Sequence, residues 1–180
     1  IVFGDWSSDV CSSDLCKTAL NNIQCILADA IGRGDWKSKE SAMLIDCHVH
    51  CCRSRDPRLT RANGSRYPTP EELLSAMDAH GIDMALVMGS VSPACRYTFV
   101  PPEELLGIAG DHPDRLVPCC PLDPRMLTNS PKANFRPLLA AYKELGCRCV
   151  GEYIPNIPFD DPLNLNLFAQ LEEVALPLTF

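Results

Sequence analysis

Apolar and polar positions alternate between two periods along most of this chain. Leu44-Ile45-Asp46-Cys47-His48-Val49-His50-Cys51 reads as a short strand, with Asp46, His48 and His50 on one face and Cys47, Val49 and Cys51 on the other. Thr69-Pro70-Glu71-Glu72 carries the marks of a helix start: Thr69 as N-cap, Pro70 at the first helical position and Glu72 closing a capping box. Leu73, Leu74, Ala76 and Met77 form its apolar stripe, and Gly81 ends it. Asp83 to Gly89 is a continuous apolar run, the pattern of a parallel strand covered on both faces. The cycle then repeats. A helix runs from Pro101-Pro102-Glu103-Glu104 to about Gly110, and a strand covers Arg115 to Cys120. Phe135, Leu138, Leu139, Tyr142 and Leu145 predict a third helix, stopped at Gly146. Cys147 to Tyr153 predicts the fourth strand, Asp161-Pro162 opens a helix through Glu173, and Leu176 to Phe180 begins a fifth strand.

This β-α alternation, at roughly 30 residues per unit, predicts an α/β fold with a parallel sheet and helices outside it. Right-handed crossovers put every strand C-terminus at one end. A (β/α)8 TIM-type barrel and an open doubly wound sheet both satisfy the order. No glycine-rich phosphate loop follows a strand, which weakens the nucleotide-binding form of the open sheet.

Residues 1–42 behave differently. Asp5 to Leu15 has neither apolar period and resembles the translation of a sequencing adapter, which implies a metagenomic or raw assembly as the origin of the reading frame. The expected division is a non-native or read-through extension over 1–42 and a barrel domain over 43–180, starting at Met43. Leu20, Ile23, Leu27 and Ile31 recur at helical spacing inside the extension, with Gly32 as a C-cap.

The chain's 180 residues suffice for one domain with a sizeable core. Its net charge of −7 argues against nucleic acid or an anionic membrane surface as partner, and no apolar run reaches the length of a membrane span. No signal peptide is visible, so the 11 cysteines read as reduced thiols of a cytoplasmic protein. With no CxxC pair, a structural cysteine–zinc site is not indicated.

Candidate chemistry concentrates at the end of the first strand. Imidazoles about 6–7 Å apart on one strand face can converge on a single ion, which makes His48 and His50 candidate metal ligands. Glu152 ends the fourth strand at the same end of the sheet. Arg53 and Arg55, with Arg58, Arg61 and Arg66, lie in a long polar loop that suits either solvent or a carboxylate substrate. His80 sits at a helix end, where it favours the helix dipole, and His112 precedes the third strand, at the end of a barrel remote from chemistry.

Ile45-Asp46-Cys47-His48-Val49-His50 resembles the first-strand signature of the amidohydrolase superfamily, in particular its amidohydrolase-related branch of metal-dependent hydrolases and decarboxylases. Gly146 to Glu152, Asp160-Asp161-Pro162-Leu163 and Leu176 to Phe180 are similar to later segments of that branch. The resemblance implies strands 1–5 of a distorted (β/α)8 barrel and a divalent ion held by His48 and His50. That ion would be zinc or manganese. Glu152 stands where the family offers a carboxylated lysine or a glutamate, as ligand, ligand support or substrate contact. A further histidine and the aspartate general base would lie beyond residue 180, so the chain reads as truncated. The activity implied for the parent, itself expected to be a homo-oligomer, is hydrolysis of an amide, ester or lactone of a small molecule. Non-oxidative decarboxylation is the alternative, and an inactive fragment is the non-enzymatic one.

Overall fold

The computed structural model describes residues 43–53, 64–94 and 99–180, and residues 45–180 form one compact unit. The extension over 1–42, with its expected helix, lies outside the described residues.

Four strands and four helices alternate among the described residues. They are β1 (Ile45–His50), α1 (Pro70–His80), β2 (Met84–Met88), α2 (Pro102–Asp111), β3 (Leu116–Cys120), α3 (Arg136–Glu144), β4 (Cys149–Val150) and α4 (Pro162–Val174). The sheet runs β1-β2-β3-β4, with every pairing parallel. The expected fifth strand enters as a parallel bridge between Val150 and Leu178, supported by bonds from Val150 N–H to Pro177 O (2.8 Å) and from Thr179 N–H to Val150 O (2.9 Å). Sequential strands as neighbours, each followed by a helix, make one arc of a barrel wall.

Period-two alternation sorts the strand side chains. Ala85, Val87 and Leu116 pack outward with Leu73, Met77, Leu105 and Ile108 of α1 and α2. Cys120 and Val150 pack with Phe135, Leu139, Leu167 and Leu171 around α3 and α4. All five residues of β2 and all five of β3 are buried, as a strand covered on both faces requires.

Local signals set the helix ends. Thr69 Oγ1 accepts from Glu72 N–H while Glu72 Oε2 accepts from Thr69 N–H, and Gly81 closes α1 in the left-handed region at φ 67°. Thr69→Ala is expected to cost about 1 kcal/mol, read as a lower urea midpoint with unchanged cooperativity.

Two expectations are corrected. The fourth strand is shorter than Cys147 to Tyr153, because only Cys149 and Val150 keep ladder geometry before the backbone turns inward. The cysteines of β3, of β4 and of the residues leading into β4 are paired: Cys119 with Cys149 and Cys120 with Cys147, at Cα separations of 4.6 and 5.9 Å. The cause is register, since Cys119 and Cys149 are direct partners across the β3–β4 ladder. Among the described residues Cys47, Cys51 and Cys52 stay as thiols, and burial first of all pushes the Cys51 thiol up to about 12, so it is inert at neutral pH.

Candidate metal centre

The site begins with an irregularity in β1. Ile45 and Asp46 pair with Met84 and Ala85, but Val49 and His50 pair with Val87 and Met88, so the segment at Cys47–His48 carries one extra residue. Such a bulge bends a strand and re-aims its side chains. The Asp46 carboxylate compensates for the interrupted ladder, with Oδ1 accepting the His48 N–H at 3.0 Å. The two imidazoles consequently stand closer than simple alternation predicts, their centroids 5.2 Å apart and their planes at 72°.

His50 is held on two sides. Its Nδ1 lies 3.1 Å from the Met88 carbonyl oxygen, which can only accept, so Nδ1 is the donor and Nε2 is the nitrogen left to face an ion. Tyr67 stacks on the ring at 5.1 Å and 27°. Strand period does not single out Tyr67, which closes the arginine-rich loop. Its one signal in the sequence is a lone aromatic at the end of a polar stretch.

Glu152 arrives from the other side of the arc. Past β4 the backbone turns inward: Gly151 N–H donates to Cys120 O (3.2 Å) and Glu152 N–H to Gly89 O (3.1 Å), just beyond β2. The carboxylate thereby spans both imidazoles, with Oε1 3.5 Å from His48 Nε2 and Oε2 3.7 Å from His50 Nε2. One ligand atom from each of the three residues lies within 4.8 Å of the others. Two donors about 2.1 Å from an ion and at a tetrahedral angle lie about 3.4 Å apart, so the 3.5 and 3.7 Å between Glu152 and the two imidazoles suit a shared divalent ion. The His50 and Glu152 side chains are 11% and 13% exposed and His48 39%, which leaves an approach open from the His48 side. Two imidazoles and one carboxylate are a donor set for a divalent metal.

Among the described residues, the other candidates are not part of this group of three. The Arg53 N–H donates to Glu104 Oε1 at 2.6 Å, and its guanidinium pairs with Asp111 in the last turn of α2, not with the histidines. Arg55, Arg58 and Arg61 lie outside the described residues. His80 and His112 sit at helix ends, away from the three donors, as expected. Asp123 and Arg125, in the turn after β3, form a polar centre that the apolar patterning does not reveal. Asp123 is 2% exposed and bonded to Arg125 through both oxygens. Burial pushes its carboxyl up, but the bonds and charge of Arg125 and a bond from Ser92 outweigh that and hold it below the usual carboxylate range. The signal available for it is an Asp-Pro-Arg turn straight after an apolar strand.

No protein-family model and no curated protein matches the chain. Solved structures do. The chain is similar to a 5-carboxyvanillate decarboxylase from Novosphingobium aromaticivorans complexed with manganese and 4-hydroxy-3-methoxy-5-nitrobenzoic acid, at TM-score 0.54 and 17% identity, over 78% of this chain and 50% of that one. It is similar to the 5-carboxyvanillate decarboxylase of Sphingomonas paucimobilis at TM-score 0.52 and 16% identity, over 77% and 51%. A probable 2-pyrone-4,6-dicarboxylic acid hydrolase from Acinetobacter baumannii with citric acid bound matches at TM-score 0.50 and 14% identity, over 76% and 48%. The chain spans about half the length of the structures it matches. The likeness is one of fold: the arc corresponds to the N-terminal portion of a (β/α)8 barrel. No helix among the described residues is long and apolar enough to cross a membrane.

Proposed function

We propose that the chain carries part of the metal site of an amidohydrolase-superfamily enzyme, with His48 and His50 of β1 and Glu152 after β4 as ligands of a divalent ion. The observation that carries this reading is the convergence of the three donors from opposite ends of a four-strand arc. These residues would hold a divalent ion, zinc or manganese, which would supply Lewis acidity toward a carbonyl or a water at neutral pH. The protein's own groups do the rest. The Met88 carbonyl fixes the tautomer of His50, Tyr67 restrains its ring, and Gly89 anchors the backbone of Glu152. The exposed edge of His48 marks the side from which a small molecule approaches.

The reaction proposed is hydrolysis of an amide, ester or lactone. Non-oxidative decarboxylation stands beside it because decarboxylases are among the structures of like fold. A carboxylate-bearing substrate suits both readings, since citric acid and a nitrobenzoic acid are the ligands in two of those structures. A cytoplasmic, homo-oligomeric parent belongs to the same proposal and is tested by cell fractionation and size-exclusion chromatography. The functional test is turnover of a panel of lactones, esters and aromatic carboxylic acids after chelation and after return of zinc or manganese. Loss with the chelator and recovery with the metal is expected. Ring opening or ester cleavage then assigns the hydrolase, and carbon dioxide release the decarboxylase. Chelator-insensitive turnover contradicts the proposal.

A further inference from the structure

Arg125 joins three of the loops that follow the strands. Its Nε–H donates to Asp123 Oδ1 at 2.7 Å and its Nη2 to Asp123 Oδ2 at 2.5 Å, a fork on one carboxylate. The same Nη2 lies 3.3 Å from Ser92 Oγ and 3.1 Å from the carbonyl oxygen of Pro155. Ser92 follows β2, Asp123 follows β3 and Pro155 follows β4. One side chain thus bonds to all three connections.

The anchor of this tie is rigid. Asp123 is 2% exposed, and a buried carboxylate has to be paired. Its Oδ1 also accepts the Arg125 backbone N–H at 2.9 Å, so side chain and backbone of Arg125 are gripped by the same group. The guanidinium therefore has a fixed direction, and its outer edge meets Pro155. Proline has no N–H, so the carbonyl is the only backbone handle by which Pro155 can be held. Pro155 stands three residues after Glu152, on a segment also held by the bonds of Glu152 N–H to Gly89 O, of Tyr153 N–H to Thr179 O and of the Tyr153 hydroxyl to Asn164 Oδ1.

We infer that Arg125 is a positioning residue for the Glu152 carboxylate: by holding the Pro155 carbonyl, with Asp123 as anchor and Ser92 as second strut, it sets where the β4 loop presents Glu152 to His48 and His50. This rests on the metal-ligand reading of those three residues. Binding constellations must be held to about 0.5 Å, and a loop carrying a ligand needs such a tie more than a strand does. The histidines stand on the β1 ladder, whereas Glu152 follows the last ladder pair of β4 and is held by single bonds, with Gly89 behind its own N–H and the Arg125 tie three residues on.

The test titrates the full chain, stripped of metal, with Mn2+ and follows the resonance of the free ion, alongside the melting temperature of each metal-free variant. Arg125→Lys keeps a cation beside Asp123 but cannot form the fork and reach Pro155 at once. Its affinity is expected to fall about tenfold, the usual effect of losing a support behind a ligand. Ser92→Ala removes one strut and is expected to weaken binding about twofold to threefold. In a Glu152→Gln background, Arg125→Lys is expected to add no further loss, because it acts through the group already changed. Wild-type affinity in Arg125→Lys, with Glu152→Gln weakened, overturns the positioning role and leaves the ligand reading standing. Independent, additive losses also overturn it. Wild-type affinity in Glu152→Gln, or no Mn2+ binding by the wild type, removes the ligand reading and the inference with it. If Arg125→Lys no longer melts cooperatively, Ser92→Ala decides alone: weakened binding supports the role and unchanged binding overturns it.

Discussion

Replacing His50 by alanine is expected to weaken divalent-metal binding about a hundredfold or more, while the metal-free protein keeps its secondary structure and loses little of its melting temperature. The size follows from coordination. A catalytic site uses about three protein ligands, and losing one of three costs more than the tenfold to hundredfold that follows from disturbing a ligand's support. His50 is the better supported imidazole, with the Met88 carbonyl behind Nδ1 and Tyr67 against its face, so its Nε2 is the most pre-organised of the three donors. His48→Ala is expected to follow with a smaller loss, because its side chain is 39% exposed and no carbonyl behind its ring is seen among the described residues like the one behind His50. Isothermal titration with Mn2+ reads both effects. Unchanged affinity in His50→Ala would show that the histidine pair is packing and not a ligand set.

The second large effect concerns stability. A Cβ on Gly89 would lie 2.2 Å from the Val100 carbonyl oxygen and 3.0 Å from side-chain carbons of Leu105 and Pro121. The nearest of these is backbone, tied by the bond of Val100 N–H to Ser90 O, so it cannot rotate away. Gly89→Ala is therefore expected to cost about 3 kcal/mol, the upper part of the range for overpacking a core. It is also expected to weaken metal binding, since the Gly89 carbonyl accepts the Glu152 N–H. Gly110 is the control: it lies in α2, where an added methyl would meet nothing within 4 Å, and Gly110→Ala is expected to gain up to about 1 kcal/mol. Equal urea midpoints for the two variants would contradict the close approach at Gly89.

Much of the arc is legible in the sequence because its elements are locally consistent. The capping box at Thr69, the apolar run of β2 and the Asp161-Pro162 start of α4 each name their structure without tertiary help. The three side chains that meet at the candidate site are legible in identity but not in geometry. His48 and His50 follow from strand period, and Glu152 from its place after β4, yet nothing local announces the bulge between Asp46 and Val49 that brings the imidazoles together. The pairing of Cys119 with Cys149 depends on the β3–β4 register, a long-range property. The Arg125 tie reaches partners 33 positions before it and 30 after it and is illegible for the same reason. Arg53, near the histidines in sequence, pairs through its guanidinium with Asp111 of α2, a partner 58 positions away that no local pattern announces.

The metal-ligand reading is tested most directly by anomalous diffraction from a crystal of the full chain grown with Mn2+. The expected result is one peak about 2.0–2.2 Å from His48 Nε2, His50 Nε2 and an oxygen of Glu152. A map with no peak between these residues, or with its only peak elsewhere on the surface, would contradict it.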